Sequence, residues 1–250
     1  MSNIVVFDTE TTSVNKPFCY NIGYCIVDVE AEKMLVKRDY VVEQVWHNPM
    51  LFTTAYYAEK REKYVKAMRS RKTEMSKYGY ICRAMIRDFV NYNVIGAYAY
   101  NSKFDDGVFT YNSDWYRCVN PFDNMSIFDI RGYVHQFMID DNFKAFCEEH
   151  NYFTDSGNYS TTAETVYRYI TGNTEFIEDH TALSDSEIET GILLHCIRKG
   201  AKINTAYETK MSIKREVEKT LTLKDTAGEF HKFDYKSITI NKDKTKITLR

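Results

Sequence analysis

The stretch N-I-V-V-F-D-T-E-T-T, Asn3–Thr12, constrains this chain more than any other. The apolar run through Phe7 reads as a buried strand, and it ends on two carboxylates separated by a single threonine. Side chains alternate faces along a strand, so Asp8 and Glu10 point the same way, roughly 7 Å apart. Two like charges at the end of a core strand cost stability unless a cation sits between them.

The segments around it give the architecture. Asn3–Phe7, Y-N-I-G-Y-C-I-V-D-V-E and K-M-L-V-K-R-D-Y-V-V-E-Q-V read as three antiparallel strands, with A-E-K as a turn between the second and third. From about Ala55 to Tyr92 the apolar spacing is helical, with Gly79 as the expected break. Val94–Asn101 and Ser126–Ile130 are strand-like, S-K-F-D-D-G-V-F opens a helix, and F-K-A-F-C-E-E-H, T-A-E-T-V-Y-R-Y-I-T and S-D-S-E-I-E-T-G-I-L-L-H-C-I-R-K are helical. Strands first and then strands mixed with helices define an α/β fold. After about Asn204 the texture changes to short alternating segments, T-L-T-L-K-D, E-F-H-K-F-D-Y, K-S-I-T-I-N and K-I-T-L-R, with N-K-D-K as a turn. The expected organisation is a main domain over residues 1–204 and a small basic appendage, part helix and part β-meander, over residues 205–250.

A chain of 250 residues can bury a full core. Its six cysteines contain no C-x-x-C pair and no long apolar run is present, so reduced thiols in a cytoplasmic protein with no membrane partner are expected. The net charge of −2 hides an uneven distribution. K-R-E-K-Y-V-K-A-M-R-S-R-K, Lys60–Lys72, carries one acid, Glu62, among seven basic residues, and Arg198–Arg250 holds fourteen basic against seven acidic residues. Each run alone suits a solvated face as well as a binding surface; together, flanking an acidic site, they suit a phosphate-chain substrate.

Two further places share the oddity of the opening strand. A-Y-A-Y-N-S-K-F-D-D ends a strand in Asn101, Asp105 and Asp106, and E-D-H-T-A-L-S-D-S-E-I-E places His180 before a helix start holding Asp185. Each has a plainer reading: Asp8 and Glu10 begin a polar turn, Asp105 and Asp106 favour a helix dipole, and Ser184 with Glu187 forms a capping box. Sites in α/β sheets form at strand ends, so the three segments can converge on one cleft. Several carboxylates there would cage Mg²⁺ or Mn²⁺, and two such ions can clamp a phosphoryl displacement while a histidine takes a proton from water. Asp106 and Asp129 read as structural neighbours, and Cys147-x-x-His150 lacks a second pair of zinc ligands. No G-x-S-x-G, P-loop or G-x-G-x-x-G motif is present.

F-D-T-E-T-T, Y-N-S-K-F-D and H-T-A-L-S-D, in that order, resemble the three motifs of the DEDDh subclass of DnaQ-like 3′–5′ exonucleases, over roughly residues 3–200. D-x-E alone is a weak signal; in order with N-x-x-x-D and H-x-A-L-x-D it is a strong one. The resemblance implies a ribonuclease-H-like mixed sheet, three antiparallel strands and then parallel ones, flanked by helices. It also implies that Asp8, Glu10, Asp105 and Asp185 bind two Mg²⁺ or Mn²⁺ ions and that His180 is the general base. Thr9, Thr11, Thr12, Asn101 and Phe104 are the candidate substrate contacts. Five residues on one helix would put His180 and Asp185 about 140° apart, so His180 belongs in the loop before the helix. Two positions depart from the family pattern: Ser13 where many members have Gly, and Tyr100 where they have His.

The expected activity is release of nucleoside 5′-monophosphates from single-stranded DNA or RNA 3′ ends. One rival is a nucleic-acid-binding module docked on a polymerase or other replication protein through residues 205–250; another is a nuclease for short oligonucleotides or small phosphodiester signals. The aromatics Tyr56, Tyr57 and Tyr64 beside the Lys60–Lys72 run serve either base stacking or a core helix.

Overall fold

The structure is a computed structural model that describes residues 2–53, 58–210, 212–215, 219–224, 229–235, 238–240 and 247–249. Strand β1, Asn3–Thr11, is longer than its apolar run because its antiparallel pairing with the next strand continues to Thr11, so Asp8 and Glu10 lie inside the strand. Strands β2, Cys19–Asp28, and β3, Lys33–Val42, follow as the expected antiparallel pair, with Asp8 opposite Gly23 and Glu10 opposite Asn21. Two short helices, α1 (Glu43–Trp46) and α2 (Pro49–Phe52), lead to α3, Arg61–Arg69.

The single helical pattern expected from Ala55 to Tyr92 is divided by a strand. Strand β4, Glu74–Ser76, pairs in parallel with Tyr40–Val42, and α4, Tyr78–Asn91, follows. The break therefore falls before Gly79, which lies in the first turn of α4; helical spacing cannot reveal three residues recruited to a distant sheet edge. Tyr56 and Tyr57 lie outside the described residues, and Tyr64 is buried in the core.

Strand β5 (Val94–Ala99), α5 (Ser102–Tyr116), β6 (Ile127–Asp129), α6 (Ile130–Phe137), α7 (Asp141–His150), α8 (Ala163–Thr171) and α9 (Ala182–Arg198) complete the main unit. Helix α6 is absent from the sequence reading; Asp129, within the expected Ser126–Ile130 strand, ends β6 and caps this helix by accepting the Arg131 N–H at 2.9 Å. The six strands run in the order β4-β3-β2-β1-β5-β6, with β5 and β6 parallel to β1. This is the ribonuclease-H-like mixed sheet flanked by helices. No described helix is long and apolar enough to cross a membrane.

Aromatic rings fill the core: Phe7 stacks on Phe122 at 4.3 Å and meets Phe109 edge-on at 5.7 Å. The many tyrosines suit an interior that also contains acceptors. Tyr24 donates to Asp88, Tyr64 to Asn21, Tyr98 to Asn204 and Tyr133 to the Lys202 carbonyl.

The chain divides into two compact units, Met1–Tyr152 with Ser160–Met211, and Phe153–Tyr159 with Ser212–Arg250. In the second, Tyr159 bridges both Phe153 and Ile213. Among its described residues the strands are β7 (Lys219–Lys224), β8 (Phe230–Tyr235), β9 (Ile238–Ile240) and β10 (Ile247–Leu249), paired antiparallel as β7 with β8 and β9 with β10. No helix occurs among its described residues, which leaves the helical part of the expected appendage without a counterpart there. The N-K-D-K turn lies outside the described residues.

Candidate active site

Helix α9 approaches the sheet over a glycine of β2 that lies opposite Asp8. A Cβ on Gly23 would lie 2.0 Å from the Leu183 backbone nitrogen, so a side chain there would push the helix off the sheet. The Ser186 hydroxyl donates to the Gly23 carbonyl at 3.0 Å, and the Ala182 N–H donates to Asn21 Oδ1 at 2.9 Å. Asn21, wholly buried, is itself held by donating to Asp39 at 2.6 Å and to the Tyr40 carbonyl at 2.9 Å. Its carboxamide thus does the work of an N-cap, while Thr181 at the cap position makes no side-chain cap bond. The Ser184–Glu187 capping box, the plainer reading of this segment, does not form, because the helix begins at Ala182 and Glu187 instead pairs with Lys37 at 2.6 Å.

This anchoring carries Asp185 to the end of β1. One carboxylate oxygen from each of Asp8, Glu10 and Asp185 falls within a group whose members are all within 4.8 Å of one another. Asp185 Oδ1 is buried without a hydrogen-bond partner. An orphaned buried acceptor beside two more carboxylates fits a hard divalent cation, which prefers oxygen ligands.

Asp105, almost fully buried on α5, is not one of those three; its Oδ1 accepts the Thr9 hydroxyl at 2.6 Å. Asn101 takes the left-handed conformation (φ 59°) at the start of α5, and its N–H donates to Asp129 at 2.9 Å. Asp129 also accepts the Thr209 hydroxyl at 2.9 Å and so acts as a structural clasp, whereas Asp106 is exposed.

His180 lies in the loop before α9, with φ 46°, and its Nδ1 is 3.9 Å from Glu178. Burial and the Lys60 ammonium push its pKa below the ordinary value, against the pull of Glu164 and Asp179, which favours the neutral imidazole. The loop is gripped by the start of the basic segment: Lys60 Nζ donates to the Asp179 carbonyl at 2.5 Å, and Lys63 pairs with the Asp179 carboxylate.

Burial raises the pKa of Asp8, Glu10, Asp105 and Asp185, and for Asp8 the repulsion of Asp105, Glu189, Asp185 and Glu10 adds to it. Lys60 opposes the rise at Glu10 and Asp185. Glu189 is a member of this charge cluster that the sequence reading missed. It is buried, raised by burial and by Asp105, and accepts the Tyr100 N–H at 3.1 Å. The signal was there: Glu189 follows Asp185 by four residues, which puts both on one helical face.

Among the expected substrate contacts, Thr9 is engaged with Asp105, and Thr11 and Thr12 are buried, the Thr12 N–H donating to the Phe18 carbonyl at 2.9 Å. Phe104 is half-buried and packs against the core. Ser13, the departure beyond the first motif, closes a turn by donating to the Lys16 carbonyl at 3.0 Å and accepting the Lys16 N–H at 3.2 Å. Tyr100, the second departure, donates its hydroxyl to the Thr161 carbonyl at 2.6 Å.

No protein-family model and no curated protein matches the chain in sequence. Solved structures do share its fold. The nuclease domain of 3′hExo, a DEDDh family member bound to rAMP, is similar over 82% of this chain and 97% of its own, with a TM-score of 0.56 and 11% identity. A 3′-exonuclease that recognises the 3′ end of a histone mRNA stem-loop is similar over 86% of this chain and 76% of its own (TM-score 0.55, 10% identity). Exonuclease I of E. coli in complex with a dT13 oligonucleotide is similar over 78% of this chain, with a TM-score of 0.50 and 14% identity. This chain spans 41% of that enzyme's length. At such identities the likeness is one of fold.

Proposed function

We propose that the chain is a metal-dependent 3′–5′ exonuclease of the DEDDh type, which releases nucleoside 5′-monophosphates from single-stranded nucleic acid. The observation that carries this reading is the group formed by Asp8, Glu10 and Asp185 with its orphaned Asp185 oxygen. The order of the three motifs and the shared fold support it.

Asp8, Glu10, Asp105 and Asp185 would hold two Mg²⁺ or Mn²⁺ ions. When bound, the ions supply a more acidic attacking water and neutralise charge on the phosphoryl oxygens. His180, neutral and beside Glu178, takes the proton as water oxygen attacks phosphorus and the bond to the preceding nucleotide's 3′ oxygen breaks. Thr9 keeps Asp105 from rotating away, and Asn21 keeps the α9 carboxylate at the strand end. Raised carboxylate pKa values fit this role, because a cation would reverse them.

The test is a digestion panel of 3′- and 5′-labelled single- and double-stranded DNA and RNA, with Mg²⁺, with Mn²⁺ and in EDTA. The expected result is stepwise loss of mononucleotides from single-stranded 3′ ends with metal and none in EDTA. Internal cleavage, or equal digestion in EDTA, overturns the reading.

A further inference from the structure

The five motif residues leave the basic helix α3 unexplained. One side of this segment grips the His180 loop through Lys60 and Lys63. Round the helix, Arg61, Val65 and Arg69 recur every four residues and, with Glu62 and Lys66, line a groove of about 350 Å³. Arg61, Lys66 and Arg69 are all exposed. The Arg61 guanidinium lies 4.6 Å from the centre of the Trp46 ring and 5.0 Å from that of Phe52, so the two rings fix its position beside the helix. Neither Lys66 nor Arg69 has an acidic partner among the described residues.

Lys66 and Arg69 are exposed and make no ion pair among the described residues, and they continue from the residues that hold the His180 loop. We infer that α3 is a track for the phosphates of a single-stranded polynucleotide upstream of its 3′ nucleotide, and that it makes the protein favour long strands over di- and trinucleotides. The inference rests on the nuclease reading for where the strand ends, and on α3 itself for the phosphate contacts. Arg61 and Arg69 are about 12 Å apart along the helix axis, so the groove engages more than one phosphate. A planar guanidinium backed by aromatic rings presents paired donors to a phosphodiester, and Lys66 adds a point charge.

The experiment measures fluorescence anisotropy in EDTA, where no metal-dependent cleavage interferes. The probes are labelled dT20, rU20 and a trinucleotide of each, with poly-glutamate as competitor. Lys66→Glu/Arg69→Glu should lose at least about tenfold in affinity for both 20-mers, and the slope of log affinity against log salt should fall by about 1.4, at about 0.7 for each lost single-strand phosphate contact. Most of the gain in affinity from trinucleotide to 20-mer should vanish, and Lys66→Gln/Arg69→Gln should show a smaller loss in the same direction. Circular dichroism checks that each variant is folded. Unchanged affinity and slope, an equal loss in the control Lys33→Glu/Arg83→Glu, or poly-glutamate competing as well as the 20-mers would overturn the track. A protein that binds 20-mers through α3 yet releases no nucleotide with Mn²⁺ loses the nuclease reading and keeps the track. One that digests strands but binds them equally well in the charge-reversed variant loses the track alone.

Discussion

Asp88 and Asp8 show two ways of putting an acid inside this protein. Asp88, on α4, is 4% exposed, and one of its oxygens receives both the Tyr24 hydroxyl and Arg38 Nε, each at 3.0 Å. Arg87 lies 3.9 Å from the other oxygen. Asp8 meets the opposite company: Glu10, Asp105, Asp185 and Glu189 all raise its pKa. A structural carboxylate is surrounded by donors and cations, whereas this cluster concentrates acids whose repulsion Lys60 offsets at Glu10 and Asp185 but not at Asp8. On the proposed function, a bound cation would balance the cluster.

The comparison breaks most sharply under substitution. Asp8→Ala or Asp185→Ala should reduce metal-dependent digestion to background, while the metal-free melting temperature stays level or rises because repulsion is relieved. Asp88→Asn should do the reverse, keeping activity at low temperature but costing about 1–3 kcal/mol of stability, since the buried Tyr24 hydroxyl and Arg38 lose their charged acceptor. Arg38 is 43% exposed, which keeps that cost at the low end. Thermal denaturation with parallel turnover assays separates the two, and a large stability loss in Asp8→Ala would erase the contrast.

His180→Asn should lower turnover by about 10²–10⁴-fold. Titration calorimetry with Mn²⁺ should detect little change in metal affinity in this variant, because the carboxylates are intact. If both fall together, His180 holds the site's shape rather than a proton.

The smallest effect is a stability trend with pH. Glu10 is pushed up to about 8 by burial and by Asp185, against an ordinary value of 4.5. A carboxyl whose folded pKa is raised holds its proton longer in the folded state, so its contribution is full below pH 4.5 and is lost as pH rises through about 8. In EDTA, stability should therefore decline across this window. Mn²⁺ at a hundred times its Kd should add about 2.7 kcal/mol and remove the decline. An identical pH profile with and without metal would detach the acid cluster from cation binding.

Much of this was legible locally. The three opening strands announce themselves through alternation and β-branched runs, and α9 through its apolar spacing, because both patterns depend on neighbours a few residues away. The carboxylate motifs were legible for the same reason. Strand β4 and the Asn21 anchor were not: three residues become a strand only when Tyr40–Val42 lies beside them, and an asparagine becomes a helix cap only when residue 182 arrives. Glu189 went unread although its spacing from Asp185 was visible, because its neighbourhood with Asp105 and Tyr100 is made across elements.

The sequence by itself determined the chemistry available, carboxylates in D-x-E, N-x-x-x-D and H-x-x-x-x-D order and a dense run of cations at Lys60–Lys72. Only the tertiary structure decided which of them meet. Gly23 leaves room for α9 against β2 beside Asp8, Asn21 sets where that helix starts, and Lys60 and Lys63 bring the basic segment onto the His180 loop. The reason is range: side-chain direction along a strand or helix is a local property, whereas the convergence of Asp8 with Asp185 depends on packing between elements more than 170 residues apart.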